Sequence, residues 1–400
     1  MPDLRRYQQG HLVKCRACGG PDLIPWFSLG DQPLANALLH QPGDVVRYPL
    51  AVQRCPVCRL SQLTHVVDPD ILYTHYPYFS GVTRGWHRHA QGLVAVVQEH
   101  LAHRRFVLDI AANDGTTLAY FHRAGCEVLG VDPAGLTAPV PIIKAYWTAR
   151  LAREIVRDHG YADVIIAQNV LGHVDDARGF LAAAQEALAL EGTLIVEVPR
   201  LDALLENVEF DTIYHEHLSY WCLTALRYVS ERAGLSLWRV DTLKVHGGSY
   251  RCWFKHARAA DSSVWDRVEV ERQMGLETAR PYARFNAKVN RAMQKLDDFL
   301  DQLDGKRLVA YGAAAKGTVL LNEMAHREIP LPQAVMDDNP MKQGKWIPGV
   351  NIPIVAPHSL AETDIVLVLP WNWQGEIKAR TAALDFTGRY LIPLPSPVLT

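Results

Sequence analysis

Two pairs of cysteines near the amino terminus constrain this chain more than any other feature of its sequence. Cys15 and Cys18 lie in CRACGG, and Cys55 and Cys58 lie in CPVCRL, with turn-rich sequence such as SLGDQPLANALL between them. Each CxxC turn can present two sulfurs to one ion, so the two turns together give zinc a closed tetrahedral shell. We therefore predict a zinc-binding module over residues 1–70. Its metal is structural, because no coordination position remains for water or substrate.

A zinc ribbon that binds nucleic acid is the alternative interpretation of this module. The module lacks a dense patch of Lys and Arg or interleaved aromatic residues, which such ribbons need. The whole chain is 48% hydrophobic and 21% charged, with a formal net charge of -2, so it shows no bulk signature of nucleic-acid binding. Seven cysteines would leave one unpaired in a disulfide framework, which favours metal ligation in a reducing compartment. We expect no nucleic-acid partner.

The sequence shows no signal for export or for a membrane span. The N-terminal segment MPDLRRYQQGHLVKC has two arginines but no apolar region behind them. No stretch approaches the roughly 20 apolar residues that a membrane span requires. We expect a cytoplasmic protein with no membrane partner, and a chain of 400 residues should divide into two or three domains.

Alternating strand and helix patterns follow the cysteine-rich segment and assign residues 71–257 to an α/β domain. Such alternation predicts a mostly parallel sheet covered by helices. The segments LSLWRVDTL and SYRCWFKHA are separated only by KVHGG, so they predict an antiparallel edge. The strands are predicted from RRFVLDIAAND, CEVLGVDPAG, ADVIIAQNV and GTLIVEVP, and the helices from TTLAYFHRAG, DARGFLAAAQEALAL and LTALRYVSERAG.

The last third of the chain predicts a helical connector and a second α/β unit. Residues 258–304 have a helical period that we expect to break at Pro281. Residues 305–400 begin with KRLVAYGAAAKGTVLLNEM, which predicts a strand, a turn of small residues and a helix. PQAVMDDNP and DIVLVLP predict later strands of the same unit.

The segment VLDIAANDGTTL predicts a ligand-binding loop in the central domain. It places Asp109 near the end of a strand and Gly115 where a helix begins, and ligands bind beyond the carboxyl ends of such strands. The next strand ends in VLGVDP, where the Asp132 carboxylate can accept hydrogen bonds from both hydroxyls of a ribose. Taken alone, Asp132 could instead cap a turn. Only one glycine of GxGxxG is present, so the residues favour an adenosine-type ligand over a dinucleotide.

The stretch FDTIYHEHLSYW, residues 210–221, concentrates two histidines, a glutamate and two tyrosines in an otherwise apolar segment. It could be a metal site, an acid/base centre or the polar edge of an ordinary helix. The metal interpretation lacks HExxH spacing, because His215 and His217 are two residues apart and no third ligand is indicated. Imidazole, with an unperturbed pKa of about 6.5, suits a base near neutrality.

These motifs together resemble one family, the three-domain sugar C-methyltransferases. Its members carry an N-terminal zinc-binding domain, a central S-adenosylmethionine (SAM) domain and a C-terminal Rossmann-like domain. The resemblance covers nearly the whole chain. It rests on the paired CxxC motifs, YPYFSG, DIAANDG, GVDP, QNVLGHV, FDTIYHEHLSY, KVHGGSYR, YGAAAKG and DDNPMKQGKWIPG.

The resemblance implies methyl transfer from SAM to the carbon, C-3, beside the keto group of a nucleotide-linked 4-keto-deoxysugar. A saturated carbon must first lose a proton to form an enolate, so the site needs a base, an oxyanion donor and an aligned methyl group. O- or N-methylation of another small metabolite is the alternative. A zinc-module scaffold whose SAM fold is vestigial is a third possibility, and we expect a monomer or a weak homo-oligomer.

The resemblance also implies roles for individual residues. It places Tyr214, Glu216 and His217 in the active site, with His217 as the base and Glu216 orienting it or contacting the sugar. It places His173 of LGHV and Tyr78 of YPYFSG near the keto oxygen, although either could instead be a structural residue. The candidate SAM-binding residues are Asp109, Asn113, Asp114, Gly115, Asp132 and Asn169.

The substrate-binding candidates come from the C-terminal unit and from KVHGGS. Lys316 of YGAAAKGT lies at a predicted helix start, where free N–H groups and a cation favour phosphate. The resemblance places it near the diphosphate, with His246 and Gly247 bordering the same cleft, while a packed turn with a solvent-exposed lysine is the alternative.

The sequence departs from the family in YFSGVTRGWHRHA, where the family often has a serine-rich run. The identity of the sugar is therefore open. Arg84, His87 and His89 could mark a different anionic group on the substrate.

Overall fold

The computed structural model describes residues 7–8, 11–73, 81, 84–100, 106–303, 305–357 and 363–400. The fold is α/β, with a small cysteine-rich N-terminal module, a central Rossmann-like domain with a mostly parallel sheet and a C-terminal Rossmann-like domain. One continuous cluster of buried residues includes Val52, Leu194 and Val366, one from each unit. The three units therefore share a core. Within the described residues, no helix is both long enough and apolar enough to cross a membrane.

The N-terminal module consists of short antiparallel strands and one short helix. Its elements are β1 (Tyr7–Gln8), β2 (His11–Leu12), β3 (Ile24–Pro33), β4 (Arg47–Arg54), β5 (Ser61–Leu63) and α1 (Pro69–Tyr73). The prediction of turns through SLGDQP is wrong, because this segment forms the second half of β3. Irregular pairing between Ser28 and Asp31 and a left-handed Gly30, with φ of 67°, let the strand bend there while it remains paired with β4.

The central domain follows the predicted alternation of strands and helices. Its elements are α2 (Arg84–His100), β6 (Phe106–Ile110), α3 (Thr116–Arg123), β7 (Glu127–Val131), β8 (Ile142–Ile143), α4 (Ala149–His159), β9 (Ala162–Gln168), α5 (Ala177–Ala187), β10 (Leu188–Pro199), α6 (Leu201–Glu206), β11 (Ser219–Tyr220), α7 (Leu223–Arg232), β12 (Ser236–Leu243) and β13 (Ser249–Lys255).

Seven of these strands form one sheet in the order β12-β13-β10-β9-β6-β7-β8. β13 runs antiparallel to both β10 and β12, which confirms the predicted antiparallel edge. The neighbours from β10 to β8 are parallel. Every residue of β6 is buried, as expected for a parallel strand covered on both faces. The carboxyl ends of β6, β7, β9 and β10 therefore meet at one edge of the sheet, where ligands bind in such folds.

β11 does not join the central sheet. It pairs antiparallel with β5, so that Ser219 faces Gln62 and Tyr220 faces Ser61. The N-terminal sheet has the order β11-β5-β4-β3 and is completed by a strand from the middle of the chain. The segment that carries His217 is thereby fastened to the N-terminal module.

Two helices lead from the central domain to the C-terminal unit, α8 (Ser262–Met274) and α9 (Arg280–Asp301). The expected break at Pro281 is misplaced, because α8 ends at left-handed Gly275 and Pro281 lies in the first turn of α9. Proline is well tolerated there, since the first N–H groups of a helix have no partner within it.

The C-terminal unit is a second parallel sheet with antiparallel edges, in the order β16-β17-β15-β14-β18-β19-β20. The strands predicted from PQAVMDDNP and DIVLVLP are confirmed as β15 and β18. Its elements are β14 (Leu308–Tyr311), α10 (Ala315–His326), β15 (Val335–Met336), β16 (Trp346–Ile347), β17 (Ile352–Val355), β18 (Ile365–Val368), α11 (Gln374–Ala382), β19 (Arg389–Ile392) and β20 (Val398–Leu399).

Candidate active site and metal centre

The four cysteines of the N-terminal module converge on one point. Their sulfurs all lie within 4.8 Å of one another, with Cys15 Sγ 3.4 Å from Cys58 Sγ and Cys18 Sγ 3.5 Å from Cys55 Sγ. Zn–S bonds of about 2.3 Å in a tetrahedron put neighbouring sulfurs about 3.8 Å apart. The four thiolates therefore fit a zinc ion after a small expansion, and all four ligand positions are filled by sulfur.

The loop between β6 and α3 is shaped by left-handed residues. Ala111, Asn113 and Gly115 have φ values of 64°, 53° and 73°. A Cβ on Gly115 would lie 2.8 Å from Val140 Cγ2, so both the backbone conformation and the available space require glycine. As predicted, Gly115 immediately precedes the helix.

Asp132 organises this loop from the end of β7. Its Oδ2 accepts a hydrogen bond from the Asn113 N–H at 2.9 Å, and its Oδ1 accepts one from the Ala134 N–H at 2.8 Å. Each carboxylate oxygen has a second lone pair for a ligand hydroxyl. Asp132 therefore fixes the loop at the carboxyl edge of the sheet.

The other candidates for this ligand differ in their surroundings. Asp114 accepts hydrogen bonds from the Gly81 N–H at 2.7 Å and the Thr116 N–H at 3.1 Å, so it stabilises the loop and the first turn of α3. Asn169 has φ of 54°, and among the described residues its buried Oδ1 has no donor. Burial raises the pKa of Asp109 well above its usual value, and the charges of Asp132 and Glu197 raise it further.

A buried carboxylate beneath this edge was missed by the sequence analysis. Glu197 Oε1 accepts from Arg251 Nε at 2.6 Å, and its Oε2 accepts from His89 Nε2 at 2.6 Å and Gln168 Nε2 at 2.9 Å. Burial alone would raise the pKa of Glu197, but the His89 hydrogen bond and the Arg251 charge lower it to about 2. A lone glutamate inside the apolar strand GTLIVEVP was the signal that could have found it.

The two histidines His87 and His89 both have partners within the chain. His89 binds Glu197, and the ring nitrogens of His87 lie 3.0 Å from Tyr120 Oη and 3.0 Å from the Gly81 carbonyl. The His89 imidazole therefore holds α2 against β10 of the central sheet, and the His87 imidazole connects α2 to α3 through Tyr120. The side chain of Arg84 lies outside the described part of the chain.

The stretch FDTIYHEHLSYW forms a 3₁₀ turn, Phe210–Thr212, followed by further turns and β11. The helix-edge interpretation is therefore wrong. The metal interpretation is wrong as well, because His215 Nε2 lies 3.2 Å from the Tyr48 carbonyl while His217 faces Tyr214. Within the described residues, the four cysteines are the one group of three or more side chains arranged to hold a metal ion.

His217 has a defined tautomer in this arrangement. Its Nδ1 lies 2.8 Å from the Thr212 carbonyl, which can only accept a hydrogen bond, so Nδ1 carries the proton of the neutral ring. Nε2 is then the acceptor and lies 2.7 Å from Tyr214 Oη, whose hydroxyl donates to it. Thr212, rather than Glu216, thus orients His217, and the basic nitrogen is coupled to a phenol.

His173 lies beside this pair. Its ring centroid is 5.0 Å from that of His217, with an angle of 83° between the planes. Burial lowers the pKa of His173 to about 4, so the ring is neutral at pH 7. The Ser219 N–H donates to the Gly172 carbonyl at 3.0 Å, which holds the two histidine-bearing segments together. Tyr78, the other residue expected here, lies outside the described residues.

Glu216 faces the N-terminal module. Its Oε1 accepts from Asn36 Nδ2 at 2.9 Å, and its buried Oε2 has no donor within the described residues. Burial raises the pKa of Glu216. Asn36 was not predicted, since nothing in the sequence of the module links LANALL to a glutamate 180 residues away.

The C-terminal unit reaches the 3₁₀ turn from the other side. Trp371 Nε1 donates to Asp211 Oδ2 at 2.8 Å. Lys316, the second residue of α10, has its Nζ 4.7 Å from the Trp371 ring centroid and 3.4 Å from Asn372 Oδ1. The lysine is thus at a helix start, as predicted. Burial raises the pKa of Asp211, and the charge of Lys316 partly offsets that rise.

Gly247 lies against a buried carboxylate next to this cluster. Its φ is 85°, and a Cβ there would lie 2.1 Å from Glu209 Oε1, so only glycine fits. The side chain of His246 is outside the described part of the chain. Lys316 also acts on Glu209, whose pKa is nevertheless raised to about 7, chiefly by burial.

We predict that Glu209→Gln stabilises the protein at pH 8 but not at pH 4. The folded-state pKa of Glu209, about 7, is above its ordinary value of 4.5. The folded protein therefore binds more protons than the unfolded chain between these values, and stability falls as the pH rises from about 4.5 to 7. The free energy of unfolding measured by urea denaturation should be up to about 3 kcal/mol higher for the variant than for the wild type at pH 8. An equal gain at both pH values would contradict this origin.

Three family models match the chain in the order expected from its motifs. A zinc binding domain matches residues 15–73, a methyltransferase domain matches residues 84–240, and a C-methyltransferase C-terminal domain matches residues 244–395. The C-methyltransferase NovU of Streptomyces niveus is 35% identical over 406 residues, which cover 96% of this chain and 96% of that protein. The chain belongs to the three-domain C-methyltransferase family. It is a SAM-dependent methyltransferase with an N-terminal zinc-binding domain.

Solved structures of other methyltransferases are more distant. Magnesium protoporphyrin IX methyltransferase from Synechocystis PCC 6803 with bound S-adenosylhomocysteine (SAH) is 15% identical, with a TM-score of 0.34 over 43% of this chain and 84% of that one. The 1,6-didemethyltoxoflavin-N1-methyltransferase of Burkholderia thailandensis is 20% identical, with a TM-score of 0.32 over 43% of this chain and 79% of that one. The family assignment depends on the sequence matches and not on these structures.

The C-terminal Rossmann-like domain contains a counterpart of Asp132. Asp337 follows β15 and accepts hydrogen bonds from the Ala313 N–H and the Asn339 N–H, each at 2.8 Å. Lys342 Nζ lies 3.4 Å from Asp337 Oδ2, so a lysine of the chain already faces this carboxylate.

We predict that Asp132→Ala weakens SAH binding about 10- to 100-fold. It removes the carboxylate that we expect to accept from the ribose hydroxyls, together with the contact that fixes Asn113, and hydrogen bonds to charged groups contribute about 1.5–3 kcal/mol. Asp337→Ala is the matched control and should change SAH affinity less than about twofold, which is a difference in binding free energy smaller than RT, about 0.6 kcal/mol. Calorimetric titration with SAH measures both. Equal effects of the two substitutions would exclude Asp132 from the cofactor site.

Proposed function

We propose that this enzyme transfers the methyl group of SAM to C-3 of a nucleotide-linked 4-keto-deoxysugar, through an enolate. The observation that carries the proposal is the hydrogen-bonded chain from the Thr212 carbonyl through His217 to Tyr214. A basic nitrogen with a fixed tautomer, bonded to a phenol, is suited to removing a proton from carbon beside a ketone. The matching C-methyltransferase relative supports methylation of carbon.

His217 takes the proton in this proposal. Because the Thr212 carbonyl holds the proton of Nδ1, the lone pair of Nε2 is the basic site. The proton of C-3 passes to Nε2 directly or through Tyr214 Oη, with the phenol proton moving to Nε2 in the second case. The enolate carbon can then attack the electrophilic methyl group that SAM supplies when bound.

His173 is proposed to stabilise the enolate oxygen. Its ring is neutral at pH 7, so one of its nitrogens carries a proton that it can donate as negative charge develops on the keto oxygen. His173 then donates a hydrogen bond to the enolate oxygen while His217 accepts the proton, so each residue performs one task. By its resemblance to the family, Tyr78 joins His173 at the keto oxygen.

The remaining roles are proposed for residues at the edges of this centre. Glu216 contacts the sugar through Oε2, the buried oxygen that lacks a donor among the described residues. Lys316, His246 and Gly247 border the nucleotide end of the substrate. The SAM-binding residues are proposed to be Asp109, Asn113, Asp114, Gly115, Asp132 and Asn169. The donor set suits SAM, since it offers carboxylates for the ribose hydroxyls and backbone N–H groups at the carboxyl edge of the sheet. We propose a cytoplasmic monomer or weak homo-oligomer.

Product analysis tests this function. The enzyme is incubated with SAM and a panel of nucleotide-linked 4-keto-deoxysugars, and products are examined by NMR. A new signal of a methyl group on carbon is expected, together with SAM-independent exchange of the C-3 proton with deuterated solvent. A methoxy or N-methyl signal without such exchange would favour O- or N-methylation and overturn the proposal.

A further inference from the structure

The zinc-binding turn that contains Cys15 and Cys18 also carries a buried arginine. The side chain of Arg16 has 0% of its surface exposed, although arginine is almost never fully buried unless it is paired. No function assigned above accounts for a cation at this position. Its contacts therefore indicate what it does.

The Arg16 guanidinium joins three segments of the chain. Nη1 donates to the Leu218 carbonyl at 2.9 Å and to the Leu63 carbonyl at 3.2 Å. Nε donates to Asp175 Oδ1 at 3.1 Å. Its own backbone N–H donates to Gln62 Oε1 at 3.0 Å, which ties the zinc-binding turn to β5.

Two of these contacts lie next to the proposed reaction centre. Leu218 directly follows His217, and Asp175 lies two residues after His173. The planar guanidinium directs its N–H groups along fixed directions, and its charge is permanent. One rigid group thus holds both histidine-bearing segments, whose rings are 5.0 Å apart.

We propose that Arg16 is a positioning residue that sets the relative placement of His217 and His173, and that it connects the zinc-binding turn to the reaction centre. The inference rests on the proposed function insofar as these two histidines perform the chemistry. Arg16 itself touches neither imidazole in the contacts described. It acts through the backbone at Leu218 and through the carboxylate of Asp175.

The second zinc-binding turn provides a matched control. Arg59 follows Cys58 as Arg16 follows Cys15, but its guanidinium donates to the Pro56 carbonyl of its own turn. Arg59→Lys therefore changes the side chain of an arginine next to a cysteine of the metal cluster, and its described side-chain hydrogen bond reaches neither histidine-bearing segment. Asp175→Asn removes the charge from one arm of the Arg16 contacts and keeps the zinc-binding turn intact.

The test compares zinc-loaded, SAH-bound Arg16→Lys, Asp175→Asn and Arg59→Lys by NMR of ¹⁵N-labelled histidine rings, with the His217 signal assigned from His217→Asn. The wild-type His217 should show the Nδ1–H tautomer, and its signals should shift in Arg16→Lys and Asp175→Asn but not in Arg59→Lys. With substrate, kcat should fall about 10- to 100-fold in Arg16→Lys, because a misplacement of about 1 Å can have such an effect. KM for SAM should stay within about twofold of the wild-type value, because the substitution leaves unchanged the contacts that bind SAM equally in the ground state and the transition state.

Unchanged ring signals and unchanged kcat in a folded Arg16→Lys would overturn the proposal. So would a loss of SAM affinity that matches the loss of kcat, which would indicate a general structural role. If Arg16→Lys does not fold, the test depends on Asp175→Asn. Histidine-ring signals at their wild-type positions in that variant would then contradict the proposal. The NMR arm needs no sugar substrate, so a failure of the proposed function shows separately as the absence of a C-methyl product.

Discussion

His217→Asn should lower methyl transfer by at least about 10³-fold, and exchange of the substrate's α-proton with solvent should be lost to the same extent. Asparagine can still donate to the Thr212 carbonyl but offers no basic nitrogen. The described hydrogen bonds of His217 go to Tyr214 and Thr212 and not to the loop between β6 and α3, so SAH should bind with its wild-type affinity. Exchange is followed by NMR in deuterated buffer, and binding is followed by calorimetry.

His215→Gln is the control for this experiment. His215 is two residues away and fully buried, and its Nε2 faces the Tyr48 carbonyl. Glutamine can keep a donor at that position, so turnover should remain within about threefold of wild type, as for a change that leaves proton transfer intact. Exchange at the wild-type rate in His217→Asn would mean that another group is the base. A comparable loss in both variants would indicate that the whole segment had moved.

Removal of zinc should lower the midpoint of thermal unfolding by at least about 10 °C, and renewed addition of zinc should restore it. Structural zinc sites contribute apparent binding energies of about 10–16 kcal/mol to folding, and 1 kcal/mol shifts the midpoint by about 2–4 °C in domains of 150–250 residues. Cys15→Ser should act in the same direction. Metal analysis of the wild-type protein should find about one ion per chain.

Cys126→Ser is the control for the cysteine substitution, since Cys126 lies outside the metal cluster and is half-buried. It should shift the midpoint by no more than about 2 °C, as expected for a substitution within about 0.5 kcal/mol. Turnover should fall only as the N-terminal module unfolds, which circular dichroism and limited proteolysis can follow. Loss of turnover in a chelated protein with unchanged unfolding would assign the metal a catalytic role and contradict the structural one.

The sequence was sufficient to predict what depends on local pattern. The alternation of apolar segments gave the central sheet and its antiparallel edge, and the spacing of four cysteines gave the metal cluster. The position of Gly115 at the start of α3 also followed from the strand and turn pattern before it. Each of these features is signalled by short motifs or local periodicity, even where the motifs themselves lie far apart in the chain.

The sequence could not predict contacts between distant segments. Asn36 reaches Glu216 and Arg16 reaches Leu218 only because the N-terminal module packs on the central domain. The second half of β3 was also missed, because SLGDQP has the composition of a turn while tertiary pairing with β4 keeps it extended. The Glu197 network similarly depends on α2, β9 and β13 meeting β10.

The pairing of β5 with β11 has a consequence for synthesis of the chain. β5 ends at Leu63, and its partner begins at Ser219, so roughly 150 residues must be added before that edge can pair. At about 5–20 residues per second the edge stays open for roughly 8–30 s. During that interval the nascent chain presents an unpaired strand edge, which is a template for association with other chains. The zinc-binding module, although it emerges first, can therefore reach its final form only after β11 has left the ribosome.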